Sequence, residues 1–406
     1  MGEWLTGNLG DVIELKRGYD LPQQSRQRGL IPIVSSSGTS DFHSEAKVKG
    51  PGVVTGRYGT IGEVYFIDGD FWPLNTTLYV RDFKGNDQRF ISYFLRCIDF
   101  LAYSDKAAVP GLNRNHLHTA IVRYPADREE QFAIASILGA LDDKIELNRR
   151  MNETLEAMAR AIFKDWFVDF GPTRAKMEGR APYLAADVWS LFPDALDKNG
   201  EPEGWNSFRL DQLVIHHTRG LTPLAAPDAE FEHFSLPAYD TSRSPTLERG
   251  AQIKSNKTIV PPDSILLSKL NPEIERVWIP EPAQDRQQIC STEFLAFTST
   301  ESSNRAILFG IFTNFGFRAM LHSMATGTSN SHQRISPTNL LQRNVLTASH
   351  TTISQYGTIA GPFLQKILGN RAENRALAAT RDFLLPKLMS GEIRIKDAEK
   401  IVGKAA

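Results

Sequence analysis

Cysteine is almost missing from this chain. Only Cys97 and Cys290 occur in 406 residues, with no CxxC pair and no Cys/His cluster. A disulfide framework and a zinc site both lack support, and a reduced, cytoplasmic setting is expected. Long apolar runs are missing too. No stretch approaches the roughly 18 residues of a membrane span, and the opening "MGEWLTGNLGDVIELKRG" has neither the basic nor the apolar region of a signal peptide. Charge of one sign is also lacking. The formal net charge is −1, with 14 basic against 13 acidic residues over 1–125 and 10 against 16 over 126–204. The counts are 13 and 13 over 205–349, and 9 and 5 over 350–406. No block is basic enough to coat nucleic acid alone, so any DNA binding has to be local or shared with partners.

Catalytic motifs are equally scarce. There is no GxxxxGK[ST] loop to cradle a nucleotide, and no Asn/Asp-Pro-Pro-aromatic tetrad of the kind an adenine methyltransferase needs. Pro261-Pro262-Asp263 and Asn271-Pro272-Glu273 come nearest, and neither fits. His216-His217 and His116/His118 invite a metal reading but have no spaced acid or cysteine set beside them. No active site, cofactor or metal is expected in this chain.

What the sequence does hold is a repeat. "KIELNRRMNETLEA" (Lys144 to Ala157) returns as "KILGNRAENRALAA" (Lys366 to Ala379) at an offset of 366 − 144 = 222. The stretch from Trp4 through Leu9 to Arg17-Gly18 likewise returns as Trp205, Leu210 and Arg219-Gly220. Between these markers each half carries strand signals: "GVVTGRYGTIGEVYFI" and "TTLYV" in the first, "KTIVPPDSILLSKL" and "STEFLAFTS" in the second. An amphipathic stretch follows in each ("RFISYFLRCIDFLAY"; "AILFGIFTNFGFRAML"), then a polar loop ("AVPGLNRNHL"; "TGTSNSHQRI") and a long helix. The predicted class is α+β, with two tandem mixed domains joined by two long helices packed as an antiparallel coiled coil with pseudo-two-fold symmetry. The predicted segments are 1–125 and 205–349 for the domains, 126–170 and 350–395 for the helical regions, 171–204 for a connector and 396–406 for a tail. The connector is dense in Gly, Pro and charge, and "AADVWSLF" within it is predicted to pack as a short helix.

The helices share a seam. The 3-4 spacing selects Ile134, Leu138, Leu141, Ile145, Asn148, Asn152, Leu155, Ala159, Ile162 and Trp166, and the offset gives Tyr356, Ala360, Phe363, Ile367, Asn370, Asn374, Leu377, Arg381, Leu384 and Leu388. Pro362 and Pro386 are expected to limit the regular part of the second copy, and Arg381 to spoil its stripe. Asn148, Asn152, Asn370 and Asn374 either face solvent or fix register, since a slipped pairing strands buried amides. Register matters when the distance between the two domains matters, which points to a ruler.

With its helices, their repetition and this domain order, the chain resembles the specificity subunit of type I restriction-modification enzymes. The resemblance is carried by "REEQFAIASILGALDDKIELNRRMNETLEAMARAIFKDWFVDF", by "RDFLLPKLMSGEIRI", by "GRYGTIGEVYF" and by the paired openings, and it spans nearly the whole chain. It implies a non-catalytic adaptor with two target recognition domains, each reading half of a split double-stranded DNA target across a helical spacer. The implied partners are two modification subunits, which use S-adenosylmethionine to methylate adenine, and restriction subunits driven by ATP and Mg²⁺. A specificity factor serving a methyltransferase with no restriction subunit would show the same scaffold.

Base reading needs Arg or Lys for guanine and Asn or Gln for adenine. Loops offering them are "SSSGTS" with Ser36, "TGRYGT" with Arg57, Tyr58 and Thr60, and "PGLNRN" with Asn113 and Arg114. In the second half they are "LSKLNP" with Lys269 and Asn271, and "SNSHQR" with His332, Gln333 and Arg334. Arg17, Arg219 and Lys106 join the candidates, with Lys16, Lys47, Lys49 and Lys254 as phosphate contacts. Each has a plainer alternative: the Arg-Gly pairs as shared structural turns, the glycines of "GRYGTIG" as hairpin formers, and "LNRN" and "SHQR" as solvated loops.

Overall fold

The computed structural model describes residues 3–104, 111–282, 285–300, 304–326 and 333–405. By internal contact the chain divides into one unit of residues 1–147 with 373–406 and another of 148–372. The division runs through the two long helices, so each unit contains part of both.

In the first unit an antiparallel four-stranded sheet has the order Glu14–Arg17, Thr77–Asp82, Gly52–Gly56, Val64–Ile67. Beside it Gly38–His43, Ile31–Ser35 and Trp72–Pro73 form a three-stranded sheet, and Trp4–Asn8 pairs with Ile121–Pro125. The second unit repeats the plan with different lengths. Its four-stranded sheet runs Val214–His217, Phe294–Ser299, Ile265–Ser268, Val277–Trp278, and Asn206–Arg209 pairs with Asn344–Thr347. Its second sheet has five strands and one parallel pairing, Glu230–Phe234 on Gln287–Cys290.

Each four-stranded sheet is covered by the helix predicted from the amphipathic stretch. Gln88–Arg96 begins on Asp87, whose carboxylate accepts from the Phe90 N–H at 2.8 Å. Arg305–Thr313 begins on Asn304 in the same way but is buried along its whole length and so is not the amphipathic helix expected: its interior is apolar all round, and Arg305 donates to the Pro280 carbonyl at 3.0 Å. The connector is more than a linker. Gly171–Met177 and Ala186–Trp189 are helical, and Val188 and Phe192 enter the core of the second unit.

The long helices are Arg128–Phe167 and His350–Ser390. The second runs unbroken through Pro362 and Pro386, contrary to expectation. Each proline removes one backbone donor, but buried neighbours such as Ala360 and Leu364, and Leu384 and Leu388, keep the backbone in helical register. All twenty seam positions are at least partly buried. Arg381 does not spoil the stripe either: its guanidinium meets Asp142 at 2.6 Å, so an ion pair occupies the place of an apolar contact. In the second unit Tyr356 is fully buried, donates to the Ala159 carbonyl at 3.0 Å and meets Phe167 edge-on at 5.4 Å. Among the described residues no helix is long and apolar enough to cross a membrane, and no group of three or more His, Cys, Asp or Glu is placed to hold a metal.

Candidate nucleic-acid interface

The candidate loops of the first unit converge. After the strand Gly52–Gly56 the chain turns through Arg57 to Gly62, with Gly59 and Gly62 at φ +81° and +95°, where a side chain would be strained. The Arg57 and Tyr58 N–H groups both donate to the Thr76 carbonyl, at 2.9 and 3.2 Å. Leu112 N–H donates to the Arg57 carbonyl at 3.0 Å, and Tyr58 bridges Gly111. A Cβ on Gly111 would collide with the Tyr58 ring. The Arg57 guanidinium lies 4.6 Å from the centre of that ring, leaving Tyr58 and Thr60 exposed beside it. Ser36, at the tip of the Ile31–Ser35/Gly38–His43 hairpin, accepts from the Tyr65 hydroxyl through its carbonyl at 3.4 Å and abuts Gly59.

Asn113 and Arg114 differ from the predicted loop. Asn113 caps the short helix Arg114–His118, its side chain accepting from the Asn115 N–H at 3.0 Å, and Arg114 is the first, exposed residue of that helix. The Asn113 carbonyl oxygen is therefore engaged in capping, which leaves its amide N–H₂ to reach outward.

The second unit assembles its candidates at the equivalent place. The segment following Ile265–Ser268 bridges residues just before the short helix Pro337–Leu341. Asn271 N–H donates to the Gln333 carbonyl at 2.8 Å and Ile335 N–H to the Lys269 carbonyl at 3.0 Å, so Lys269, Asn271, Gln333 and Arg334 are neighbours. Asn271 adopts φ +49°, a left-handed conformation that asparagine tolerates. The Arg334 guanidinium meets Glu293 at 3.1 Å, and the hydrogen bonds it donates to that carboxylate raise its pKa.

Arg17 ends the strand Glu14–Arg17, and Arg219 lies two residues beyond the strand Val214–His217. Arg17 is exposed and 3.7 Å from Asp20, and Arg219 spends its carbonyl on the Ile259 N–H. The glycine after Arg17 has a structural reason, because a Cβ there would strike the Leu74 carbonyl oxygen, whereas Gly220 has only the Lys257 carbonyl at 3.9 Å. Lys16 lies 3.5 Å from the Tyr19 hydroxyl, and Lys47 sits 4.8 Å over Trp72. Lys106 and His332 lie outside the described residues.

Of the helix asparagines, Asn148 and Asn370 are fully buried, which removes the solvent-facing reading for both. In the second unit Asn370 Nδ2 donates to Asn152 Oδ1 at 2.8 Å, and in the first Asn374 Nδ2 donates to the Ile145 carbonyl at 3.2 Å. Asn370 and Asn152 thus meet amide to amide across the seam, while Asn374 meets backbone.

Sequence reasoning missed the charged residues that hold this framework. In the first unit Asp142 accepts from the Tyr93 hydroxyl at 2.6 Å and pairs with Arg96 and Arg381. Burial alone would raise its pKa, but these donors hold it below the ordinary aspartate range. In the second, Glu156 meets Arg371 at 3.2 Å, and Glu275 binds both Arg160 and Arg318. A charged residue facing inward on a long helix was the available signal.

Residues 1–157 match the family model described as type I restriction modification DNA specificity domain. The chain is 24% identical over 345 residues (80% of this chain, 74% of the relative) to the type I restriction enzyme MjaIX specificity subunit of Methanocaldococcus jannaschii. It is 25% identical over 468 aligned positions (95% and 93%) to the type I restriction enzyme HindI specificity subunit of Haemophilus influenzae. Its fold is similar, with a TM-score of 0.59 at 13% identity and 95% and 96% coverage, to the S subunit of a type I restriction-modification system from M. genitalium. The family model over residues 1–157 and both relatives agree: the chain is similar to the specificity subunits of type I restriction-modification enzymes.

Proposed function

We propose that this chain reads a split double-stranded DNA target, one half with the Arg57/Tyr58/Asn113/Arg114 cluster and the other with the Lys269/Asn271/Gln333/Arg334 cluster. The observation that carries this reading is the matched position of the clusters. Both follow the same strand of the same four-stranded order, and both bridge to the residues before a short helix. Each offers guanidinium or ammonium groups for guanine and amides for adenine. The two domains act as tandem target recognition domains, and the two helices as an antiparallel coiled coil with pseudo-two-fold symmetry whose length sets the gap between half-sites. Forty residues at 1.5 Å each give a helix of about 60 Å, ample for half-sites about 34 Å apart.

Near-neutral charge leaves affinity to partners: two modification subunits supply S-adenosylmethionine-dependent adenine methylation and close round the duplex, and restriction subunits supply ATP- and Mg²⁺-dependent cleavage. The chain itself carries no cofactor and works in the cytoplasm. The test is to map N6-methyladenine in DNA from cells carrying this chain with its modification partner. A split motif with a fixed gap is expected, and a heptad added to both long helices should lengthen the gap while leaving both halves intact. Half-sites that change while the gap stays constant would sink the ruler.

A further inference from the structure

The loop that carries Lys269 and Asn271 is tied to the long helix below it by a run of charges. Glu275, in the same loop, accepts from Arg160 of the first long helix at 2.5 and 3.2 Å and from Arg318 at 2.6 Å. Arg318, on the helix Phe315–Ser323, also donates to the Glu273 carbonyl at 3.0 Å and the Pro272 carbonyl at 3.5 Å. One guanidinium thus holds three points of the turn. Arg160 extends the run to Glu156, one helical turn earlier, and Glu156 reaches Arg371 of the second long helix at 3.2 Å. Next to Glu275, Arg276 is clamped to Asp240 through two bonds of 2.7 and 2.8 Å.

Such an arrangement does more than stabilise. Bidentate arginine–carboxylate pairs fix orientation as well as distance. Burial alone would raise the Glu275 pKa, but Arg160 and Arg318 bring it below the ordinary glutamate range, so the anion persists at neutral pH. Discrimination between bases requires side chains held to within a fraction of an ångström, and a loop led by a left-handed Asn271 has no helix or strand of its own to supply that.

We propose that Arg160, Glu275 and Arg318 are positioning residues for base discrimination: they lock the Lys269–Asn271 loop onto the long helix and so set the fidelity of one half-site. None of the three touches DNA. They act through Lys269 and Asn271, and the inference rests on the split-target reading above.

The experiment uses the full chain assembled with its modification subunits and compares methylation of the correct target with targets carrying one wrong base pair in either half. With Glu275→Gln, which keeps shape and loses charge, discrimination should fall about 10-fold at one half-site and stay unchanged at the other, in line with the cost of one mismatch. Tyr356→Phe, which removes a buried hydrogen bond in the same unit but touches no loop, should leave discrimination at both halves intact. Should the Glu275 variant fail to assemble, Arg318→Gln, which keeps the Arg160–Glu275 pair, is read by the same criterion. Discrimination unchanged in both halves, or lowered equally in both, overturns the proposal. A parent complex that shows no split motif overturns instead the function on which it rests.

Discussion

The loop after Gly52–Gly56 and the loop after Ile265–Ser268 occupy the same place in matching sheets, yet different chemistry holds each. The first is fixed by its backbone. Two glycines take positive φ, Arg57 and Tyr58 share the Thr76 carbonyl, and among the described residues no carboxylate bonds to Arg57 through Gly62. The second is fixed by charge, through Glu275 with its two arginines, Arg276 with Asp240 and Arg334 with Glu293. A backbone-held loop tolerates new side chains at exposed positions such as Tyr58 and Thr60 as long as its glycines stay. A charge-held loop depends on distant partners and on solution conditions.

Removing a central charge should give the largest effect. Glu156→Ala leaves Arg371, whose pKa burial pushes down and Glu156 pulls back up, without its carboxylate. Breaking one side of a buried pair costs about 3–5 kcal/mol, and hydrogen exchange should show the loss within residues 148–372. Asp142→Asn in the first unit should cost less, about 2 kcal/mol, because a neutral amide still serves part of the Tyr93 and arginine bonds. A Glu156→Ala cost below that of Asp142→Asn would reverse the ranking.

Next in size comes a test on the repeated Arg-Gly pair. Gly18→Ala forces a Cβ into the Leu74 carbonyl, and since backbone cannot step aside the cost should be about 2–4 kcal/mol. Gly220→Ala meets only an ordinary contact and should fall within about 0.5 kcal/mol of the parent. Chemical denaturation of both variants measures the difference. Equal costs would mean that the pair is structural in both units.

These pairs show where a sequence is legible. Helix positions followed from apolar spacing, because the seam leucines bury the face that their period assigns, whereas the strand Gly52–Gly56 followed from its β-branched residues beside a Gly-rich turn and is buried on both faces. The candidate loops were found from their glycines and amides, whose backbone demands are local. Asn113 was harder, since an asparagine before a short segment is equally a loop residue or a cap, and only the Asn115 N–H decides. Arg381 and Glu275 were misread or missed because their partners, Asp142 and Arg160, are 239 and 115 residues distant in sequence. No periodicity encodes a pairing of that range. The continuity of the second helix through Pro362 is tertiary in the same sense.

Acid should separate the two loops further. The Glu275 pKa is depressed on folding, so its contribution is fully present above the ordinary glutamate range and is lost as pH falls through the lower folded value. Below about pH 4 amide protection over 269–276 should decline, while protection over 57–62, which depends on no carboxylate among the described residues, should hold. A parallel decline in both loops would show that acid acts through global unfolding and not through Glu275.

The smallest effect in free energy concerns the asparagines, and here magnitude and importance part company. Asn370 and Asn152 bond to each other in a buried seam, so replacing either alone leaves a buried amide unsatisfied at about 1–3 kcal/mol. Replacing both with leucine restores an apolar contact and should be close to neutral, giving a double-mutant cycle with a coupling energy of about 1 kcal/mol or more. What the double variant should lose is uniqueness, because a leucine seam accepts a slipped register that an amide pair refuses. Methylation by the assembled complex would then occur at more than one gap length, at nearly unchanged thermal stability. A single sharp gap in the double-leucine variant would assign register to the surrounding ion pairs, with Asp142–Arg381 and Glu156–Arg371 the first to remove.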